Sequence, residues 1–356
     1  MIHTFYNKKI SSVLSVLPSK KVDYLDEIVD YPFPENQSRK LGKMMDYNTK
    51  RICEWDEGIS DYALQGIQYL LKNKVLSKEE IGAIVVSTSS QDYIIPPVSF
   101  ILQGKLDLGK DVLCFDIAQA CGGYVMGLIQ SFMLLDTYKL KKVILVTGDF
   151  LSKKVGKRDR NSRPILGDAV NVSIVENSDK DNEILTIFKN YGESASVISI
   201  PAGGLKHPST AETAIETQDE TGNYRALDHF FMDGEEVFNF VMIEVPPIIK
   251  EIITHAGKTL EDIDYYMFHQ PNQYMLHKLA DELDIPYEKM FSNIVGIYGN
   301  PSTASIPLNI CHNIRDIITR KELSLCLSGF GGGLTANAML LTTEKMDLCE
   351  IIDYRK

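Results

Sequence analysis

One of the six cysteines stands where a nucleophile could act. Cys121 comes soon after the apolar run VLCFDIA, which is typical of a buried strand, and directly before GGYVMGLIQSFMLL, which is typical of a buried helix. At such a junction the unpaired backbone NH groups and the positive dipole end of the helix favour a thiolate over a thiol. Gly122 and Gly123 let a substrate approach the backbone closely. The turn indicates a nucleophile, with a buried structural cysteine as the alternative.

A histidine and an asparagine follow later elements. His269 ends the strand-like run YYMF, and Pro271 can begin the next helix. A neutral imidazole at this position can donate a hydrogen bond to a developing oxyanion or move a proton. Asn300 lies in the constrained turn GNP, from which its amide can donate at fixed geometry. A satisfied core histidine and a turn-forming asparagine are the structural alternatives.

A glycine-rich turn closes the set of candidate groups. The segment LSGFGGGLTANA begins at Leu327 as a strand and runs into three successive glycines. Such turns bring backbone NH groups beside a substrate, as in oxyanion holes and phosphate cradles. No Lys-Ser/Thr pair follows the glycines, which excludes a P-loop.

The elements that must position these groups are strands alternating with helices, which is typical of α/β units with mostly parallel sheets. A weak repeat relates the two halves. EEIGAIVVST at Glu79 resembles EDIDYYMFHQ at Glu261, and ILVTGD aligns with LCLSGF at nearly the same offset. Sequence similarity alone leaves a duplication open. The offset places Cys121 over Thr303, so we expect their two turns to meet at the centre of the molecule.

Composition excludes some functions. The chain has 356 residues, with 37 basic and 48 acidic side chains and a formal charge of −11, so we expect no nucleic-acid or anionic-membrane partner. The cysteines lack CxxC pairs, which predicts no metal site and the reduced thiols of a cytoplasmic protein. The N-terminal residues MIHTFYNKKI lack a signal-peptide pattern. The uncharged stretch 117–135 contains glycines and glutamines, which favour a buried core helix over a membrane span.

Together these motifs resemble the beta-ketoacyl acyl-carrier-protein synthase III family of the thiolase superfamily. The resemblance extends over nearly the whole chain and rests on six segments: FDIAQACGGYVMGL, ILGDAVNVSIVE, HFFMDGEEVFNF, HQPN, YGNPSTASIP and GFGGGLT. It implies an α/β fold of the duplicated thiolase-like type, with five αβαβα layers, and a homodimer. In this assignment a thiolase-like half at 1–180 carries the nucleophilic cysteine, and a second half at 181–356 carries the histidine and the asparagine.

The resemblance also implies a mechanism with a catalytic triad of Cys121, His269 and Asn300. Cys121 would attack an acyl-CoA or acyl-carrier-protein thioester, while its own NH and that of Gly332 hold the oxyanion. A malonyl thioester would then lose carbon dioxide as His269 and Asn300 donate to the enolate oxygen. The product would be a 3-oxoacyl thioester two carbons longer. No resident cofactor is implied, because CoA or 4′-phosphopantetheine arrives with the substrate.

Further site residues come from the same resemblance. The turn DYIIPPVSF would reach across the dimer, so that Ile95 and Tyr93 would shape the starter-acyl pocket; ordinary interface packing is the alternative. Arg51 would contact a phosphate or pantetheine. The tryptophan that stacks on the CoA adenine in the family has no counterpart, and Tyr274 replaces the basic residue after HQxN, with Lys278 as a partial substitute. These departures leave open the starter chain, the CoA or carrier-protein donor, and a general or specialised pathway.

Three alternatives remain at this stage. A relative of the same fold could transfer acyl groups without decarboxylation, although the asparagine position favours the decarboxylating type. A catalytically silent scaffold would keep the fold without convergent side chains. A cysteine protease is disfavoured, because Cys121 lies far from the N-terminus and CGGYVM differs from the CGSCW pattern of the papain type.

Overall fold

The computed structural model describes residues 1–356. Its seventeen strands, in chain order, are β1 (Ile2–Tyr6), β2 (Lys8–Leu17), β3 (Lys21–Asp23), β4 (Thr49–Arg51), β5 (Ile81–Ser87), β6 (Leu113–Ile117), β7 (Lys142–Asp149), β8 (Ala169–Asn177), β9 (Glu183–Asn190), β10 (Ile198–Ser199), β11 (Thr217–Gln218), β12 (Tyr224–Arg225), β13 (Phe231–Met232), β14 (Tyr265–Phe268), β15 (Leu323–Gly331), β16 (Thr335–Thr343) and β17 (Leu348–Asp353). The ten α-helices are α1 (Tyr24–Glu27), α2 (Glu35–Met45), α3 (Ile59–Lys72), α4 (Val98–Lys105), α5 (Gly123–Thr137), α6 (Gly234–His255), α7 (Gln273–Leu283), α8 (Val295–Tyr298), α9 (Ser305–Asn313) and α10 (Arg315–Ile318). Short 3-10 helices, including Ser302–Ala304, connect them.

Two large sheets repeat one topology. The first has the order β17-β2-β8-β7-β5-β6, and the second has the order β1-β9-β16-β15-β14. Within the first, β2–β8 and β8–β7 are antiparallel and β7–β5 is parallel. The second repeats these directions with β9–β16, β16–β15 and β15–β14. The predicted duplication is therefore confirmed by strand order and direction together.

Helices cover both faces of each sheet and make five layers. The buried residues of α3 and α4 form a core with one face of the first sheet. Those of α5 and α9 lie between the two sheets, and those of α6 and α7 cover the outer face of the second. Strands buried on both faces are apolar at most positions, which explains the nearly continuous apolar runs such as IGAIVVS in β5. The predicted αβαβα architecture is confirmed.

The central helix α5 accounts for the long uncharged stretch. Most of its residues are buried between the sheets, as predicted for a core helix. None of the helices is both long enough and apolar enough to cross a bilayer.

The terminal strands exchange between the halves. The predicted boundary at residue 180 falls in the connection between β8 and β9. However, the N-terminal strand β1 pairs with β9 in the second sheet, and the C-terminal strand β17 pairs with β2 in the first. Each sheet thus contains one strand from the other end of the chain, which ties the halves together.

The two central helices begin close to one another. The turn before α5 contains Cys121, and the turn before α9 contains Ser302 and Thr303. Cys121 Sγ lies 3.8 Å from Ser302 Oγ. A Cβ atom on Gly123 would lie 2.7 Å from Thr303 Cγ2, so only glycine allows this approach. The prediction that the two turns meet is confirmed.

Candidate active site

The turn that carries Cys121 is fixed by a side chain of the second sheet. Asn337 on β16 donates from Nδ2 to the carbonyl of Gly122 at 3.1 Å and accepts the NH of Gly329 at Oδ1 at 3.0 Å. One amide therefore holds the cysteine turn against β15. Because both partners are backbone groups, this link sets the position of Cys121 relative to the glycine turn that follows β15.

Burial dominates the ionisation of Cys121. Part of its surface faces a cavity, but dense protein surrounds the sulfur, and this desolvation raises the pKa of the thiol. Hydrogen bonds from Ser302 and from the backbone of Gly332 lower the pKa, whereas the nearby charge of Asp149 raises it further. The expectation that the helix terminus favours a thiolate is wrong, because burial raises the pKa of the thiol more than the hydrogen-bond donors lower it.

His269 is buried and electrically neutral. Its backbone NH donates to Ser328 O on β15 at 2.8 Å, and its ring lies edge-on to Phe330 with centroids 5.5 Å apart. Desolvation lowers the pKa of His269 from 6.5 to about 3, and a hydrogen bond with the backbone of Ser302 opposes the shift only partly. Nδ1 lies 2.7 Å from the hydroxyl oxygen of Ser305. A neutral ring keeps one N–H group that can donate a hydrogen bond to an oxyanion at physiological pH.

Asn300 is held by backbone bonds on both sides. Its NH donates to Ile165 O at 2.7 Å, and its carbonyl accepts the NH of Gly167 at 3.1 Å. Its Oδ1 accepts the NH of Ser302 at 2.9 Å, which fixes the amide orientation. The Nδ2 group makes no hydrogen bond to the protein and so remains a free donor. Gly299 before it, with φ +78°, lies against Gly167, and a Cβ there would be 2.7 Å from the Cα of Gly167.

A buried carboxylate holds the second turn against the first half. Asp149 ends β7, and its Oδ1 accepts both the NH and the hydroxyl of Ser89 at 2.7 Å. Its Oδ2 accepts the NH of Thr303 at 3.2 Å. Burial raises the pKa of Asp149, while the hydrogen bonds from Ser89, Ser302 and Thr303 act in the opposite direction. The sequence reasoning did not identify this residue, although it ends the ILVTGD segment used to align the repeat.

The glycine turn after β15 lies directly on the sulfur. A Cβ on Gly331 would lie 3.0 Å from both Cβ and Sγ of Cys121, and φ at this residue is +139°. The backbone of Gly332 hydrogen-bonds toward the Cys121 sulfur and lowers the pKa of the thiol. The turn therefore brings an NH group to the place where an oxyanion beside Cys121 would develop.

The three candidate side chains share one cavity of about 350 Å³. Cys121, His269 and Asn300 all line it, together with mainly apolar residues from α2, α6 and α7. Arg160 is the only charged side chain among the lining residues. The mainly apolar lining suits the neutral part of a long substrate, and the one cation, Arg160, suits an anionic group at the end of that substrate.

The one charged cavity residue, Arg160, was missed by the sequence reasoning. The guanidinium carbon of Arg160 lies 3.5 Å from the ring centroid of Phe33, and its buried Nε has no hydrogen-bond partner. The backbone NH of Arg160 donates to Asn223 Oδ1 at 2.9 Å, which anchors its segment. The sequence feature that could have identified Arg160 is its position shortly before the ILGDAVNVSIVE segment, which is part of the family resemblance.

Three predicted binding residues lie elsewhere. Arg51 does not reach the cavity, since its guanidinium donates to Pro18 O at 2.6 Å and pairs with Asp353 at 3.2 Å. Its side chain is held by Pro18 and by Asp353 of β17, and the phosphate contact of Arg51 stays a prediction. Tyr93 and Ile95 also lie outside this cavity and are 62% and 81% exposed. No group of three or more His, Cys, Asp or Glu side chains is arranged to hold a metal ion.

Comparison with known proteins gives a consistent result. The family model for 3-oxoacyl-[acyl-carrier-protein] synthase III matches residues 115–192, and the model of its C-terminal part matches residues 253–343. The chain is 32% identical over 292 residues to beta-ketoacyl-[acyl-carrier-protein] synthase III of Synechocystis, covering 82% of this chain and 85% of the relative. This chain belongs to the beta-ketoacyl-[acyl-carrier-protein] synthase III family. Its function is that of a condensing enzyme, an acyltransferase of fatty acid synthesis.

Other members of the synthase III family agree over the full length. A putative 3-oxoacyl-[acyl-carrier-protein] synthase 3 of Campylobacter jejuni is 29% identical over 353 residues, which cover 99% of this chain and 98% of the relative. The crystal structure of a 3-oxoacyl-(acyl-carrier protein) synthase from Burkholderia xenovorans superimposes with a TM-score of 0.92 at 29% identity, covering 99% of each chain. The thiolase-like fold expected from the sequence is thus confirmed by independent similarity.

Proposed function

We propose that Cys121 is the acyl-carrying nucleophile of this condensing enzyme, and that His269 and Asn300 hold the enolate formed by decarboxylation. The observation that carries the proposal is their common cavity, into which the chain brings a thiol, a neutral imidazole and a free amide donor. The glycine turn beside the sulfur supports the assignment of an oxyanion hole to the NH groups of Cys121 and Gly332.

The first half-reaction loads the acyl group. The Cys121 sulfur forms a bond to the thioester carbon, and the carbonyl oxygen becomes an oxyanion that accepts from the two NH groups. Collapse of this intermediate breaks the bond to the departing sulfur, and the proton of the Cys121 thiol ends on that leaving group. The raised pKa of Cys121 fits a resting thiol whose proton leaves with the departing sulfur.

The second half-reaction forms the new carbon–carbon bond. A malonyl thioester loses carbon dioxide, and the electron pair of the broken bond moves into an enolate whose oxygen accepts from His269 and Asn300. The enolate carbon attacks the acyl carbon on Cys121, and the thiolate of Cys121 leaves and takes up a proton from solvent to restore the resting thiol. A histidine that stays neutral can donate through each cycle without gaining a proton.

The substrates, assembly and location are part of the same proposal. The acyl donor is an acyl-CoA or acyl-carrier-protein thioester, with Arg160 available to the phosphate end of the arm at the cavity. The exposed Tyr93 and Ile95 support a homodimer in which their loop packs on the partner and contributes to the starter-acyl pocket. Six free thiols fit a reducing compartment such as the cytoplasm.

One experiment tests the assignment. The purified enzyme is incubated with a panel of acyl-CoA and acyl-carrier thioesters and a malonyl thioester labelled in its free carboxyl group. We expect labelled carbon dioxide and an equal amount of a 3-oxoacyl thioester, with the acyl adduct on Cys121 in intact mass spectra. Acyl transfer without carbon dioxide would favour the non-decarboxylating alternative, and no adduct with any donor would favour a silent scaffold.

A further inference from the structure

A buried ion cluster lies close to the cavity but outside it. Glu27 ends α1 and pairs through Oε2 with Lys50 Nζ and through Oε1 with Arg163 Nε, each at 2.9 Å. Lys50 also donates to the backbone carbonyl of Arg163. Glu27 and Lys50 are each 4% exposed. Desolvation lowers the pKa of Lys50, and the charge of Glu27 opposes this shift.

Such a cluster carries a cost that calls for an explanation. It places two cations and one carboxylate in a protein interior, where an apolar set of the same volume is often at least as stable. Stability alone therefore does not account for it. What the cluster does specify is the relative position of the three segments that contribute its members: α1, β4 and the loop before β8.

Two of these segments hold Asn300. The loop that contains Arg163 continues to Ile165 and Gly167, which make both backbone hydrogen bonds to Asn300. Strand β4 contains Lys50, and a Cβ on Gly299 would lie 3.0 Å from Lys50 Cβ. The Asn300 backbone thus lies between the loop on one side and β4 on the other.

The two neighbours of Lys50 on β4 add hydrogen bonds around the asparagine turn. Thr49 donates from its hydroxyl to Ile297 O at 2.8 Å, which fixes α8 just before the asparagine turn. The carbonyl of Arg51 accepts the NH of Asp168 at 2.8 Å, which fixes the end of the loop. The ion pairs of Glu27 hold β4 and the loop against α1, so the two segments that contact the asparagine turn are also linked to each other through α1.

We propose that the Glu27–Lys50–Arg163 cluster positions the Asn300 amide for decarboxylation, so that Glu27 is a positioning residue of the second half-reaction. The inference rests on the proposed role of Asn300. The cluster contacts neither Cys121 nor Gly332, the groups that act on the thioester carbonyl, so we expect acylation to depend on the cluster less than decarboxylation does.

The test separates the two half-reactions in the full-length enzyme. Glu27→Gln is compared with wild type for the rate of Cys121 acylation, by intact mass spectrometry, and for carbon dioxide release by the pre-acylated enzyme. Because misplacement of a donor by a fraction of an ångström weakens its transition-state bond, we expect decarboxylation to fall about tenfold and acylation to stay within about twofold. Lys50→Met is the second variant, since it leaves the neutral Glu27–Arg163 pair and so retains the fold if Glu27→Gln does not.

A double-mutant cycle distinguishes positioning from general loosening. Glu27→Gln should cause no further loss of decarboxylation in the Asn300→Ala background, because the group it positions is gone. Glu176→Gln is the matched control, since Glu176 also lies between two cations, Lys9 at 3.9 Å and Lys142 at 3.8 Å, at the far end of β8. Both half-reactions of this control should be unchanged.

The outcomes are distinct. Equal losses of acylation and decarboxylation in Glu27→Gln or Lys50→Met would overturn the inference, as would an undiminished effect of Glu27→Gln in the Asn300→Ala background. Either result leaves the proposed function standing if wild type acylates Cys121 and releases carbon dioxide. Failure of wild type to do so would overturn the proposed function itself.

Discussion

Ser305 is the first residue of α9, and its hydroxyl lies 2.7 Å from Nδ1 of His269. When this hydroxyl donates to Nδ1, the ring proton is on Nε2, and this is the tautomer whose Nε2 can donate to an enolate oxygen. Helix α9 is the counterpart, in the second half, of helix α5 after Cys121. Its first residue therefore orients the histidine. This relationship leads to the first prediction.

Ser305→Ala should impair decarboxylation selectively. Loss of the hydroxyl removes the partner that fixes the tautomer, so we expect carbon dioxide release to fall about tenfold while acylation of Cys121 is nearly unchanged. Ser131→Ala is the control, because Ser131 is also buried but donates only to Gly127 O within α5. Equal loss in both half-reactions would argue against a role through the histidine.

Cys121→Ala should abolish the covalent adduct. Intact mass spectrometry after exposure to acyl-CoA should show a single acyl group on wild type and none on the variant. Cys114→Ala serves as control because Cys114 is likewise partly buried but lies outside the cavity, and it should load normally. Stoichiometric acylation of Cys121→Ala at another residue would show that the nucleophile is wrongly assigned.

Gly331→Ala should block acylation by displacing the turn beside the sulfur. The new Cβ would lie 3.0 Å from Cys121 Sγ, and φ of +139° is unfavourable for alanine. We expect at least a hundredfold slower acylation, as for loss of an oxyanion-hole donor. Gly104→Ala, on α4 with no atom within 4 Å of its Cβ, should leave acylation unchanged. Near-normal loading of Gly331→Ala would contradict the proposed oxyanion hole.

Acid should destabilise the fold through His269. Its pKa is about 3 when folded and 6.5 as a free side chain, so between these values the unfolded chain binds the extra proton. The contribution is absent above pH 6.5 and grows as the pH falls toward 3. From pH 7 to pH 5 it lowers the free energy of unfolding by about 2 kcal/mol. Urea unfolding at both pH values should show a smaller drop for His269→Gln, and identical drops would contradict the neutral buried state.

The same neutrality predicts the pH profile of catalysis. Decarboxylation by the acylated enzyme should show no step from a histidine between pH 5 and 8, because His269 remains uncharged across this range. A rate that falls with a midpoint near 6.5 on acidification, in an enzyme still folded by circular dichroism, would mean that the imidazole titrates normally.

Ile95→Asp should weaken the predicted homodimer. Ile95 is 81% exposed in the protomer, and a charge there would be buried and unpaired in an interface formed by its loop. Sedimentation should show a dimer for wild type and a shift toward monomer for the variant. Val29→Asp is the control, since Val29 is 80% exposed on a different segment. A monomeric wild type would contradict the homodimer.

The sequence carried much of the fold because its signals were local or repeated. The strand IGAIVVS and the helix after Cys121 are mostly apolar because most of their residues are buried, and that pattern is visible without coordinates. The offset between the halves predicted the meeting of the cysteine turn with the turn at Thr303. The exchange of β1 and β17 between the sheets was not predictable, because a single strand carries no mark of the sheet it joins.

Arg51 shows why a binding residue is harder to predict. Its type suited a phosphate, but its direction is set by Asp353, which lies three hundred residues away in sequence on β17. Arg160 occupies the cavity instead, because its loop is anchored by Asn223. A residue's type limits what it can bind, whereas contacts distant in sequence decide what it can reach.

The sequence by itself determined the duplicated fold and which thiol, imidazole and amide could act together, because these follow from patterns and motifs along the chain. Only the tertiary structure decided their state: that burial keeps His269 neutral and raises the pKa of Cys121, that Ser305 contacts the His269 ring, and that Asp149 holds the turn at Thr303. The physical reason is that desolvation and hydrogen bonding depend on atoms brought together from all parts of the chain, and no local stretch of sequence contains them.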